Sequence, residues 1–273
     1  MRLLPDRGGR SGHRGRSEAQ AGSGGARGRG DLGRGGRLTR VIGHPSPNHG
    51  DRRGAAPDLV VLHYTAMRPA EAALARLCDP ASAVSAHYLI AEDGRVWRLV
   101  AEERRAWHAG AGAWGDVSDV NSRSIGIELS NPGDAPYPAP QMAALEALLR
   151  GVSARWTIPP ERVIGHECMA PLRKADPGRR FDWRALARSG LAVWLDSARD
   201  GAQDKGPPSA AAFQRTARRF GYPACDSGAW DAETRALAAA FQRRFRPWED
   251  GPLTAAGLAQ LAALAARWPV RRG

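Results

Sequence analysis

Two short apolar runs, each ending in a histidine, limit what this chain can fold into: Leu59-Val-Val-Leu-His63 and Val163-Ile-Gly-His166. An unbroken apolar run of this length reads as a strand buried on both faces, which requires helical layers above and below its sheet. The stretches between them agree. Residues 40–53 form an extended lead-in punctuated by prolines, and residues 69–78 carry Ala72, Leu74, Ala75 and Leu77 as a helix. Residues 86–91 and 96–100 flank Glu92-Asp93-Gly94-Arg95, a hairpin turn. Residues 124–130 form another strand. Residues 140–156 form the longest helix, with Met142, Leu145, Leu148, Leu149 and Val152 on one stripe. Residues 181–194 are expected to be helical too. Strands interleaved with helices indicate an α/β domain over residues 39–196.

Outside that domain the composition changes twice. Residues 1–38 are rich in Gly, Arg and Ser, have almost nothing apolar, and are expected to be a disordered tail. Ten arginines against Asp6, Glu18 and Asp31 place +7 of the formal +12 in residues 1–40. The basic balance therefore belongs mainly to the tail and is no evidence for nucleic acid as a partner of the folded part. Residues 197–208 read as a linker. Three helical patterns follow within residues 209–269, with Leu237, Phe241 and Phe245 on one face and Asp231 and Thr254 placed as caps. Three widely spaced cysteines imply no disulfide framework. No stretch has the length of a transmembrane segment.

The histidine-ended runs also carry the chemistry. Imidazole and carboxylate are common zinc ligands, and three of them with a position left open make a catalytic site. His63 and His166 can supply the imidazoles. Asp176, in the loop Lys174-Ala-Asp-Pro-Gly178, can supply the carboxylate. Glu128, inside the otherwise apolar Ile125-Gly-Ile-Glu-Leu129, is a candidate general base. Lys174 is placed to face the same site and offset developing negative charge. Each has an ordinary reading as well: a core histidine, a solvent-facing strand glutamate, a turn aspartate. His166-Glu167 opens like the His-Glu-x-x-His zinc motif, but Ala170 stands where the second histidine belongs. Cys168 is read as a neighbouring thiol.

Five segments in order resemble the zinc-dependent N-acetylmuramoyl-L-alanine amidases that share a fold with peptidoglycan-recognition proteins. They are Val61-Leu-His63-Tyr-Thr-Ala66, Ser85-Ala-His87-Tyr-Leu-Ile90, Trp107-His-Ala-Gly110, Asn121-Ser-Arg-Ser-Ile-Gly-Ile-Glu128, and Gly165-His166 through Lys174-Ala-Asp-Pro-Gly178. The resemblance implies a mixed central sheet flanked by helices. It also implies Zn2+ on His63, His166 and Asp176, Glu128 as general base, and Lys174 at the oxyanion. Tyr64, His87, Trp107, His108, Asn121 and Asn131 become candidate substrate contacts. For His87, orienting or packing the site is the other role, and for the two asparagines a strand-end hydrogen bond. Residues 209–269 resemble a three-helix peptidoglycan-binding domain through Phe213-Gln214, Phe220-Gly-Tyr222, Gly228-Ala-Trp230-Asp-Ala-Glu-Thr234 and Ala240-Phe241-Gln242.

The activity implied is hydrolysis of the amide between N-acetylmuramic acid and L-alanine, in peptidoglycan or in muropeptides released from it. The alternatives are a non-catalytic recognition protein of the same fold and a polyanion binder driven by the tail. The five filled catalytic positions speak against the former. On location two features pull apart: the wall-binding resemblance points to the cell envelope, and the absence of an apolar leader near Leu3-Leu4 points to the cytoplasm.

Overall fold

The computed structural model describes residues 40–196 and 208–270; the expectations for the tail and for almost all of the linker lie outside them. Among these residues the strands are β1 (Val41–Gly43), β2 (His49–Gly50), β3 (Leu59–Tyr64), β4 (Tyr88–Ile90), β5 (Val96–Arg98), β6 (Arg105–Ala106), β7 (Ser124–Leu129) and β8 (Val163–Gly165). The helices are α1 (Ala70–Cys78), α2 (Val120–Arg123), α3 (Ala139–Trp156), α4 (His166–Met169), α5 (Trp183–Arg188), α6 (Ala210–Phe220), α7 (Ala232–Phe245) and α8 (Ala255–Arg267).

Six strands form one sheet in the order β1-β5-β4-β7-β3-β8, and β2 pairs with β6 apart from it. The β4–β5 hairpin is antiparallel and the other neighbours are parallel, so the sheet is mixed, as expected from the sequence. The two-residue period of a strand sorts its side chains to opposite faces. Val60, Leu62, Ile125, Ile127, Leu129 and Val163 pack with Leu145, Leu148, Leu149 and Val152 of α3 in one core cluster. Leu59, Val61 and Ile164 point the other way. In β3 the same alternation carries His63 to the face of Leu59 and Val61, and register sets it beside Glu128 of β7.

The C-terminal helices join the core on that second side. Phe213, Phe220, Phe241 and Phe245 are at most 2 % exposed and belong to the same core cluster as Leu59, Val61, Ile164 and Met169. Burial of a side chain of this size contributes roughly 1.5–3 kcal/mol, so the three helices and the sheet share one core. Each helix starts at a side-chain cap: Ser209 accepts from Ala212 N, Asp231 from Thr234 N and Thr254 from Gly257 N. Trp114, from the loop before α2, is wedged edge-on against Phe220 and Tyr222.

One element differs from the sequence expectation. The helix foreseen over residues 181–194 is only α5, Trp183–Arg188. It stops at Ser189-Gly190, where Gly190 has a φ of +72° and Leu191 N donates back to Leu186 O. The chain then runs on with Leu191, Ala192 and Val193 buried. An apolar run that inserts into a core without helical periodicity is hard to tell from a helix by composition.

Candidate active site

β3, β7 and β8 run parallel, and their carboxyl ends open into a cleft of about 860 Å³. His63 is the penultimate residue of β3, Glu128 that of β7, and His166 follows β8 directly. Asp176 returns from the loop after α4. His63 Nδ1 lies 2.9 Å from His166 Nδ1, and each is 3.0 Å from Asp176 Oδ2. Among the described residues these are the one group of three that could hold a metal ion.

The tautomers are set from behind. His166 Nε2 is 2.8 Å from the Ala109 carbonyl, so that nitrogen carries the proton and Nδ1 presents a lone pair to the centre. His63 Nε2 lies 3.0 Å from His108 Nδ1, and His108 Nε2 lies 3.2 Å from Ser124 Oγ, which donates to Val120 O. Read as donors in series, this chain also leaves the His63 Nδ1 lone pair facing inward. Two lone pairs 2.9 Å apart beside a carboxylate repel unless a cation lies between them. Tetrahedral zinc with ligand bonds of about 2.0–2.1 Å would hold such donors about 3.3 Å apart, close to the spacing seen. The donor set fits zinc.

The electrostatics agree. Burial, with His166 alongside, pushes the His63 imidazole down to about 4, so it is neutral at pH 7 and able to ligate. Burial alone would raise the Asp176 carboxyl, but positive charge among the three donors, on the imidazoles or on a cation held between them, offsets it and holds the group below its ordinary value. Glu128 is pushed up to about 8 by burial and by the charge of Asp176. Its Oε2 is buried with no hydrogen-bond partner. An orphaned carboxylate oxygen in a cleft needs a reason, and a proton to be moved supplies one.

Lys174 also lines the cleft, as do Tyr64, Trp107 and His108. His87, Asn121 and Asn131 lie beneath it, each under 9 % exposed. His87 Nδ1 accepts from Gly126 N, and its Nε2 is 3.0 Å from Arg104 O. Asn121 Oδ1 accepts from the backbone of His108 and Ala109. Asn131 Oδ1 accepts from Gly133 N, and its amide nitrogen donates to Ala135 O. These three brace the loops that carry site residues, mainly through backbone, with His87 Nε2 also 2.8 Å from the Arg52 guanidinium. Cys168 faces away from the donors, against Tyr222 and Arg244.

Several contributors gave no sequence signal. Arg52 is 4 % exposed, and its guanidinium binds the carbonyls of Glu102, Ser122 and Ser124, fixing the start of β7. Ala236, Ala239 and Arg243 of α7 form a wall of the cleft, and Arg243 pairs with the buried Glu167 next to His166. Gly126 did carry a signal, as a glycine within a strand. A Cβ there would lie 2.4 Å from the His108 ring, so only glycine lets that imidazole lie against β7.

Two imidazoles and a carboxylate converging in a cleft at the carboxyl ends of a mixed sheet, with a partnerless glutamate beside them, form a candidate mononuclear metal site of the kind hydrolases use. Comparison with known proteins narrows this. The family profile described as N-acetylmuramoyl-L-alanine amidase matches residues 53–179. The N-acetylmuramoyl-L-alanine amidase AmiD of Escherichia coli K12 is 37 % identical over 210 residues, covering 69 % of this chain and 75 % of that one. The 1,6-anhydro-N-acetylmuramyl-L-alanine amidase AmpD of Enterobacter cloacae is 34 % identical over 157 residues, covering 51 % and 84 %. Among solved structures, E. coli AmiD bound to anhydro-N-acetylmuramic acid-L-Ala-D-γ-Glu-L-Lys superposes with a TM-score of 0.71 at 33 % identity, over 82 % of this chain and 93 % of that one. Pseudomonas aeruginosa AmpDh3 with an anhydromuramic pentapeptide gives 0.71 at 34 %, over 83 % and 96 %. This chain belongs to the N-acetylmuramoyl-L-alanine amidase family, enzymes that hydrolyse the amide joining muramic acid to the stem peptide of peptidoglycan.

Proposed function

We propose that His63, His166 and Asp176 hold a zinc ion and that Glu128 and Lys174 act beside it in cleaving the N-acetylmuramoyl–L-alanine bond. The observation that carries this reading is the meeting of three donor atoms within 2.9–3.0 Å of one another in the same cleft as an orphaned Glu128 oxygen. Zinc in such a site supplies Lewis acidity, acidifying water and polarising an amide carbonyl. Glu128 takes a proton from the attacking water as its oxygen bonds to the lactyl carbonyl carbon. The same carboxyl then delivers that proton to the alanine nitrogen as the C–N bond breaks, leaving a lactyl carboxylic acid, whose remaining proton passes to solvent or to the freed amine. Lys174, at the cleft rim, faces the carbonyl oxygen as negative charge develops there. The Ala109 carbonyl and His108 keep the two imidazoles oriented through the cycle.

The substrates in the relatives' complexes, anhydromuramyl peptides, support muropeptides as one substrate form. The three C-terminal helices, which resemble a peptidoglycan-binding domain, support polymeric wall as another. The test is digestion of purified sacculi and of anhydro-muropeptides by zinc-loaded protein, with products identified by mass spectrometry. Stem peptides beginning in L-alanine are expected. Cuts within the peptide or the glycan, or a metal-loaded but inert protein, would refute the assignment.

A further inference from the structure

The two imidazoles of the site stand 103 residues apart in the chain, one in β3 and one directly after β8. What backs both is a single dipeptide. His108 Nδ1 lies 3.0 Å from His63 Nε2, and the carbonyl of the next residue, Ala109, lies 2.8 Å from His166 Nε2. Consecutive residues of one loop thus hold one imidazole each. A displacement of that loop moves both outer contacts together, and with them the separation of the two inward-facing nitrogens.

One side-chain atom grips the loop. Asn121 Oδ1 accepts from His108 N at 3.1 Å and from Ala109 N at 2.9 Å, and the residue is 8 % exposed. Its own backbone is fixed in turn. Asn121 lies in the single turn of α2, where the Asp119 side chain accepts from Ser122 N and Arg52 Nη1 donates to Ser122 O at 2.7 Å. Ser124 Oγ, which also touches His108 Nε2, donates to Val120 O of the same turn. Remove the amide oxygen, and two consecutive N–H groups lose their acceptor away from water. A buried donor without a partner is costly, so the backbone carrying it moves towards a new one. A zinc site with bonds of about 2.0–2.1 Å tolerates little of that movement.

We propose that Asn121 is a positioning residue for the metal site: its one amide oxygen sets the spacing of His63 and His166 by clamping His108 and Ala109 behind them. The inference rests on the zinc reading of the donors and extends it to a residue that acts on them through two others. Two readouts on the full-length protein test it: zinc affinity by competition with a chelator, and the visible absorption of the Co2+-substituted protein, which reports coordination geometry. Asn121→Ala is expected to weaken zinc binding about tenfold and to shift the Co2+ bands. Asn121→Ser, whose shorter side chain cannot reach both N–H groups, is expected to do the same and carries the test if the alanine variant fails to fold. Asn121→Asp keeps an oxygen in place and is expected to stay within about threefold of wild type. Gln141→Ala removes another buried amide, one that donates to Ile90 O and Ser130 O outside the cleft lining. It is expected to lower Tm and leave both metal readouts unchanged. Wild-type affinity and spectrum in Asn121→Ala and Asn121→Ser overturn the proposal, as does an equal loss in Asn121→Asp or in Gln141→Ala. Wild-type protein that binds no zinc overturns the metal reading instead.

Discussion

Glu128 sits where catalysis and stability want opposite things. Its pKa is raised from the ordinary carboxylate value to about 8 by burial and by Asp176. The unfolded chain thus ionises Glu128 above about pH 4.5, while the metal-free fold resists doing so until about pH 8. The penalty is absent below the unfolded value, grows as pH rises between the two, and is complete above the folded one. In metal-free protein, Glu128→Gln should therefore stabilise the fold by about 1–3 kcal/mol at pH 7–8 and by nothing near pH 4, read as Tm across a pH series. The same substitution should lower kcat about 10²–10⁴-fold in the zinc-loaded enzyme with its zinc content unchanged, checked by turnover and metal analysis together. Gly126 is a second residue whose role is local. Gly126→Ala places a methyl group inside contact distance of the His108 ring, which must shift and release His63 Nε2. Zinc affinity should fall about 10–100-fold in a competition titration with a chelator, the usual cost of losing an outer-shell partner.

At the scale of elements, what was legible followed from pattern length. β3, β7 and α3 are long enough for period to show, and His63 and His166 were legible because each closes an apolar run. The ends of elements were not, and α5 stops early because Gly190 and a return hydrogen bond end it. Loop residues such as Arg52, acting through its guanidinium, and Ala109, acting through its carbonyl, leave no periodic trace at all. Asn121 and Asn131 carried the right side chains for substrate contact, and only their three-dimensional partners reveal that backbone has claimed them. Glu102 is a further case, buried in the loop after β5, where its carboxylate ties that loop to β4 and to the end of α3. It accepts from Tyr88 Oη, from Arg155 and from Trp156 Nε1. Burial alone would raise its pKa, but those donors outweigh burial and hold it below the ordinary value. A depressed carboxylate contributes stability above its unfolded pKa and loses it as pH falls through the folded one. Glu102→Gln should cost about 1–3 kcal/mol at pH 7, with the difference from wild type shrinking below about pH 4, measured by urea denaturation at both pH values.

At the scale of the molecule, residues 209–269 read in the sequence as a module joined by a linker, and their fold takes part in the core that carries the site. A sequence pattern shows that a helix has an apolar face without showing what the face meets. Here Phe213, Phe220, Phe241 and Phe245 share one apolar cluster with Leu59, Val61 and Ile164 of the sheet. The joint is also polar: Arg243 reaches buried Glu167, and Arg244, fully buried, donates to Val163 O and lies over the Trp183 ring. Both contacts fall on the segment that presents His166. Truncation after residue 196 would therefore expose the apolar residues of the cluster that α6–α8 pack against and leave Glu167 without its cation. Uncovering an apolar face larger than a few hundred Å² makes association the expected result, and Glu167 loses its Arg243 partner at the same time. The truncated chain should melt well below the full chain, bind a hydrophobic dye and sediment as aggregates. If it instead sediments as a monomer with undiminished Tm and zinc affinity, the C-terminal helices serve the substrate alone and the shared core adds nothing to the site.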